Sequence, residues 1–310
     1  MISASRNESE RPIRRVAVLL INFNLSQMTD ELVEQINRNT SFPHELFLLD
    51  NGSETGEVSK YTTHRVEKNL GLMGGLEFLW LAVRDRSEFD AYWFLCNDLV
   101  FDEGRDYLDE MSALHAELSK ITRVGAITPS YHSDPDSPVP PYMESDGSDG
   151  WRGLVYLEWN AVLVTRELMQ DLFWVGFGAV SEHAQQDVVL SFEAWRNGYS
   201  VIVMDGLSLV HLGNETFLQQ GGKVLNGVEV PDYAGLEAML RRDLIAVRED
   251  YAKRGVDLST TRYEIHRDID QRKRWQRYFD GYQPPPLRIR LAAGRARVRA
   301  AVHAIDRRLR

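Results

Sequence analysis

Three apolar runs, VAVLLINFN (16–24), ELFLLDNGS (45–53) and YWFLCND (92–98), each stop abruptly on asparagine or aspartate. An unbroken stretch of Val, Leu, Ile and aromatic residues describes a strand buried on both faces, and such strands belong to parallel sheets covered by helices. The segments between them agree. In SQMTDELVEQINRN (26–39), Leu32, Val33 and Ile36 fall at helical spacing, with Ser26 or Thr29 as candidate caps. Further helices are expected over about 72–86 and within 103–121, and VGAITPSY (124–131) as another strand. Strand and helix therefore alternate, the pattern of βαβ units with helices on both faces of one sheet.

Beyond residue 131 the pattern loosens. YHSDPDSPVPPYMESDGSDGW (131–151) is rich in Pro, Ser, Asp and Gly and reads as a long irregular segment, a place where compact domains often carry a functional lid. LVYLEWNAVLVT (154–165) alternates and reads as one strand, with a helix over about 166–173 after it. QDVVLSFEAWRNGY (186–199) reads as a helix stopped by Gly198, and SVIVMD and LSLVHLG as two strands. Helices are expected over about 232–255 and 259–282, ended by the prolines at 284–286. The layout is then a disordered lead-in (1–13), one α/β domain (14–230), a helical extension (231–283) and a basic tail (284–310).

Charge separates that tail from the body. Residues 287–310 hold eight arginines against one aspartate, +7 in a chain of net charge −10, so the remainder carries −17. An acidic body lacks the basic face that neutralises phosphates along a nucleic acid, so no nucleic-acid partner is expected. On a helix, Leu291, Val298, Val302, Ile305 and Leu309 form one apolar stripe amid arginine. Basic amphipathic helices lie on anionic membranes or dock to acidic partners, which makes 287–310 a candidate peripheral membrane contact; packing on the acidic body is the equal alternative. No apolar run approaches the roughly 18 residues of a membrane span, and MISASRNESERPIRR lacks a signal-type apolar segment. The single cysteine, Cys96, permits no internal disulfide. A cytoplasmic location is the expectation.

Three strand ends concentrate the polar residues: Asn22 and Asn24; Asp50 with Asn51; Asn97 with Asp98. In open parallel sheets the ligand crevice lies outside the carboxyl ends of the strands. Asp and Asn also close turns for reasons of their own, so each strand end alone has a plain structural reading. Gly71, Gly74 and Gly75 in KNLGLMGG (68–75) suit either close backbone approach to a phosphate at a helix start or tight helix packing.

In order and approximate spacing, VAVLLINFN, LLDNGS, KNLGLMGG, LCND and QDVVLSFEAWRNGY…H resemble the inverting family 2 glycosyltransferases of the GT-A fold, over roughly residues 14–215. The rhamnosyl- and galactosyltransferase-like members are the most similar. The resemblance implies a Rossmann-like, mostly parallel central sheet flanked by helices. It implies transfer of a hexose or deoxyhexose from a nucleoside diphosphate sugar, UDP or dTDP favoured, to a hydroxyl of a glycan, lipid-linked or protein acceptor.

Carried onto this chain, the resemblance gives Asp50 the nucleotide base. It places Asn22, Asn24, Asn51, Ser53, Asn69, Gly71, Gly74 and Asn97 around the nucleotide sugar. Asp98 falls on the metal-binding carboxylate, with His211 beside the metal or diphosphate and Mn2+ or Mg2+ as the ion; a core histidine is the equal alternative for His211. Asp187 falls on the general base, which inversion requires on the face opposite the leaving diphosphate. Trp151, Trp159 and Asn160, with Tyr142, lie where relatives bind acceptors, although core packing suits Trp159 as well.

The chain departs from the pattern at four places. Cys96 stands where an acidic residue or Asn is expected, and a thiol is a poor ligand for a hard cation. Leu76 replaces an asparagine, Gln186 precedes Asp187 in place of Glu, and Val188 or Val189 replaces a later aspartate. These departures keep open a non-catalytic nucleotide-sugar or glycan-binding protein. A sugar nucleotidyltransferase would need a Gly-rich basic loop after the first strand, and NFNLSQMTDE (22–31) is not one.

Overall fold

All seven residues of Val16–Asn22 (β1) are buried, as a strand covered on both faces must be. The structure, a computed structural model, describes residues 12–132, 143–145, 147–154, 158–172, 191, 194, 197–212, 224–225 and 228–229. After β1 come α1 (Ser26–Asn39), β2 (His44–Asn51), β3 (His64–Val66), α2 (Gly71–Val83) and β4 (Ala91–Leu95). β5 (Leu99–Phe101), α3 (Tyr107–Leu118), β6 (Val124–Tyr131), β7 (Trp151–Leu154), β8 (Ala161–Thr165), α4 (Arg166–Leu172) and β9 (Ser200–His211) follow. A separate two-stranded pair joins β10 (Val224–Leu225) to β11 (Val228–Glu229).

The main sheet runs β3-β2-β1-β4-β8-β6-β9-β5, with β7 also on β9. β3, β2, β1, β4, β6 and β9 point one way, and β8, β5 and β7 the other. β1, β2 and β4 therefore end on one edge of the sheet, where the three polar strand ends gather. Among the described residues no helix is long and apolar enough to cross a membrane. The lead-in through residue 11, the extension (231–283) and the tail (284–310) lie outside the described residues.

Several local expectations change. Neither Ser26 nor Thr29 caps α1: Leu25 holds that position, and the Asn22 side-chain oxygen accepts from Leu25 N (3.3 Å) and meets the Thr29 hydroxyl (2.9 Å). Residues 154–165 do not form one strand. β7 ends at Leu154 and β8 begins at Ala161, with Trp159 and Asn160 in the turn before it. The two expected strands after Ser200 are one, β9, whose partner on β6 jumps from Met204 to Ser208 so that Asp205, Gly206 and Leu207 bulge outward. α3 starts later than its periodicity suggested because Asp106 caps it, accepting from Asp109 N at 3.1 Å.

One buried group gives the fold a pH dependence. His115 on α3 is 3% exposed, and burial pushes its pKa down to about 4. The unfolded chain, with histidine near 6.5, binds a proton that the native state refuses, so stability is complete above about pH 6.5 and falls as pH drops toward 4. His115→Leu should flatten that limb of the stability curve, an effect on the order of 3 kcal/mol between pH 7 and pH 4. Urea melts of both proteins at the two pH values measure it.

Candidate active site

Register, rather than sequence proximity, builds the first half of the site. Asn22 pairs with Asp50 across β1 and β2, and Asp50 with Arg65 across β2 and β3. Asp50 is fully buried; its Oδ1 accepts from Asn22 Nδ2 at 3.2 Å, and Arg65 Nε lies 3.0 Å from Oδ2 in an ion pair too oblique for a hydrogen bond. Arg65 itself is half-exposed and covers the carboxylate. Asn22 also donates to Glu57 O (2.8 Å) and Ser53 Oγ (3.3 Å). Expected to touch the nucleotide sugar, Asn22 has its whole amide engaged inside the protein and supports the site from below.

The loops after β1 and β2 are tied to each other. Asn24, at φ +56°, accepts from Glu54 N at 2.8 Å, while Asn24 N donates to Ser53 Oγ at 3.0 Å. Gly52 sits at φ +81°, and a Cβ there would lie 2.7 Å from the backbone of both Lys68 and Asn69, so only glycine lets the two loops meet. Asn51 then locks the second loop, donating to Asn69 Oδ1 (2.9 Å) and Gly71 O (3.1 Å) and accepting from Leu70 N (2.9 Å). Asn69 Oδ1 takes Gly71 N at 2.7 Å. The Leu70 and Gly71 amides, which a helix start could offer to a phosphate, are thus bound by Asn51 and Asn69. Gly74 tolerates more than Gly75, where a Cβ would meet Ile21 Cδ1 at 2.8 Å.

The other half forms at the ends of β4 and β9. β5 pairs with β9 so that Leu99 faces His211, which brings His211 Nε2 to 3.3 Å from Asp98 Oδ2. Both side chains are largely buried, at 14% and 11% exposed. Burial pulls the His211 pKa down, but the charge and hydrogen bond of Asp98, helped by Glu158, leave it raised. Asn97 points elsewhere and donates to Thr29 Oγ1 at 3.0 Å, joining β4 to α1.

Cys96 stands at the first position of that turn. Its N–H donates to Asn160 O (2.8 Å), its thiol to Asn160 Oδ1 (3.3 Å), and Asn160 Nδ2 donates to Glu158 Oε2 (3.0 Å). Burial, then Asp98 and Glu158, drive the Cys96 pKa well up, so the thiol is neutral. Tyr131, at the end of β6, lies against the His211 ring (centroids 5.6 Å apart). Its pKa is also well up, from burial and then Glu158. The Tyr131 hydroxyl is sealed from solvent and makes no well-formed hydrogen bond, although Asn160 is close enough to influence it.

Two expected acceptor residues sit differently. Trp159 is 4% exposed and packs edge-on against Phe94 (4.9 Å), which makes it a core residue with no face left for a sugar. Trp151 opens β7 opposite Met204 and packs on the core. Asp187 and Tyr142 lie outside the described residues. Sequence reasoning missed Arg65, Tyr131 and Glu158, three ordinary strand or turn residues in no motif; only register and turn geometry reveal them.

Asp98 and His211, at the strand ends, could hold a divalent cation. Their donor atoms converge at about the separation of adjacent ligands on one ion with metal–ligand distances near 2.1 Å. Among the described residues no group of three His, Cys, Asp or Glu side chains converges in that way. Two protein ligands leave positions for diphosphate oxygens and water, which suits an ion shared with a substrate.

No protein-family model matches the sequence, and no curated protein matches it. Solved structures do match. The mannosyltransferase PcManGT from Pyrobaculum calidifontis, in complex with GDP-Man and Mn2+, aligns over 97% of this chain and 78% of its own, with TM-score 0.49 and 14% identity. GalNAc-T7 with UDP, GalNAc and Mn2+ aligns over 90% of this chain and 57% of its own, with TM-score 0.50 and 12% identity. S. aureus TarS aligns over 86% and 42%, with TM-score 0.48 and 11% identity. At such identities the likeness is one of fold: a central mixed sheet flanked by helices, as in the GT-A glycosyltransferases. The chain spans little more than half the length of GalNAc-T7 and less than half that of TarS.

Proposed function

We propose that the chain is an inverting, metal-assisted glycosyltransferase of the family 2 type, moving a hexose or deoxyhexose from a UDP- or dTDP-linked donor to an acceptor hydroxyl. The observation that carries this reading is the shared edge: Asp50 under Arg65 at one end, the Asp98–His211 pair at the other, and the locked 69–71 loop beside Asp50. Two polar centres along one edge of the sheet suit a ligand with a base at one end and a diphosphate at the other. GalNAc-T7, similar in fold, is a protein whose structure holds UDP and Mn2+.

The Asp50 geometry suits a nucleobase that carries an N–H beside a C=O. With Oδ1 taken by Asn22, Oδ2 lies buried beneath the half-exposed Arg65, so a base that displaces this guanidinium would meet an acceptor next to a donor. The imide edge of uracil or thymine offers the complement, an N–H flanked by C=O. Asp98 and His211 would hold Mn2+, or Mg2+ less well given the imidazole. The cation, when bound, neutralises charge on the departing diphosphate. Leu212 N donates to Asp98 O at 2.8 Å, which fixes the turn carrying the carboxylate. Asp187 would take the acceptor proton, the role that inversion requires of a base opposite the leaving diphosphate.

Release of UDP or dTDP from the cognate sugar nucleotide, measured with and without acceptor, tests the reading. Asp187→Asn should lower acceptor-dependent release by on the order of a hundredfold or more while nucleotide binding persists. Near-normal transfer by that variant removes Asp187 as the base. Binding of the sugar nucleotide without turnover under any acceptor condition would favour the non-catalytic alternative.

A further inference from the structure

Cys96 leaves the end of β4 without the acid expected there, yet a carboxylate arrives from another element. The turn before β8 is clamped to that strand end by two contacts, Cys96 N to Asn160 O (2.8 Å) and Cys96 Sγ to Asn160 Oδ1 (3.3 Å). The same asparagine holds Glu158 Oε2 at 3.0 Å. Tyr131 is fully buried, its ring against His211, and its hydroxyl makes no well-formed hydrogen bond, with Asn160 as its one loose neighbour. Of the charges that bear on this phenol, Glu158 bears most.

A buried hydroxyl whose one neighbour is poorly aligned has a hydrogen bond left to make in the working state. The geometry points to a sugar-hydroxyl subsite: Glu158 accepts an O–H of the transferred sugar and Tyr131 donates to an oxygen of the same ring. This inference rests on the glycosyltransferase reading, because the sugar reaches Glu158 only if its diphosphate lies at Asp98 and His211. A hydroxyl held by a carboxylate and a phenol distinguishes sugars that carry it from deoxy or epimeric ones, since an unmatched analogue leaves both groups unpaired. Glu158 and Tyr131 are therefore proposed as specificity determinants, with Asn160 as the positioning residue.

The test uses the full chain and calorimetric titration with UDP, dTDP, UDP-glucose, UDP-galactose, UDP-N-acetylglucosamine and dTDP-rhamnose in the presence of Mn2+. The expected result is that wild type binds one sugar nucleotide more tightly than its parent diphosphate. Glu158→Gln should weaken that sugar nucleotide about tenfold or more and leave the diphosphate unchanged. Tyr131→Phe should reduce the same preference without lowering the melting temperature, because a buried hydroxyl with no well-formed hydrogen bond does not add to stability. Variants that keep the wild-type ratio of sugar nucleotide to diphosphate overturn the proposal and leave the glycosyltransferase reading intact. A wild type with no preference over the bare diphosphate also overturns it. A wild type that binds none of the six removes the underlying reading instead.

Discussion

Asp98→Ala should abolish the Mn2+-dependent stabilisation of this protein by UDP or dTDP. A ligand at a hundred times its dissociation constant adds about 2.7 kcal/mol to the folded state, a rise of about 5–10 °C in melting temperature for a domain of 150–250 residues. The variant should lose that rise while melting at nearly the wild-type temperature without ligand. The turn holding Asp98 depends on the main chain, through Leu212 N to Asp98 O, and the side chain contributes a contact to His211 that itself needs partial burial of charge. Removing the carboxylate relieves that burial and leaves His211 with Tyr131 beside it. Transfer should fall further than binding, by at least about a hundredfold, because the charge on a leaving diphosphate grows as the glycosidic bond breaks. Differential scanning with and without Mn2+ settles the first part; an undiminished metal-dependent shift in the variant would remove Asp98 as a metal ligand.

That Asp98 could be picked from the sequence, and Glu158 could not, has a physical cause. Asp98 follows the unbroken run Ala91–Leu95, and an abrupt polar stop after a buried strand is visible to any reading of apolar periodicity. Glu158 lies in a turn between two strands with no glycine or proline near it, so the alternation of 154–165 reads straight through and hides the chain reversal. The same blindness merged β7 with β8, and the opposite error split β9, where Asp205-Gly206 looks like a turn but is a bulge inside one strand. Asn22 shows a third limit. A strand-end asparagine that binds a ligand and one that braces a helix start and grips Asp50 are identical in sequence; only the destinations of Nδ2 and Oδ1 separate them. Arg65 and Tyr131 become site residues through register alone.

The bulge that sequence reading missed carries the largest expected effect on stability. Arg152 and Asp205 are 2% and 1% exposed, with Arg152 Nε at 3.2 and 2.9 Å from the two carboxylate oxygens. The other arm of the guanidinium donates to Glu144 O, and Asp205 N–H and Gly206 N–H both reach Gly150 O, at 2.9 and 3.2 Å. Arg152 on β7 thus holds the bulge of β9 and the neighbouring loop in one network. Taking two charges out of water is costly, and their mutual attraction and hydrogen bonds only offset it, so the pair adds little by itself. Removing one partner is different: the Asp205 carboxylate would stay buried after losing its guanidinium. Arg152→Met should therefore destabilise the fold by about 3–5 kcal/mol, whereas Arg152→Met combined with Asp205→Leu should recover much of that loss. Urea unfolding of the two single variants and the double measures the coupling. If the double variant proves as unstable as the sum of the singles, the cost lies in packing around the bulge rather than in a buried carboxylate that has lost its guanidinium.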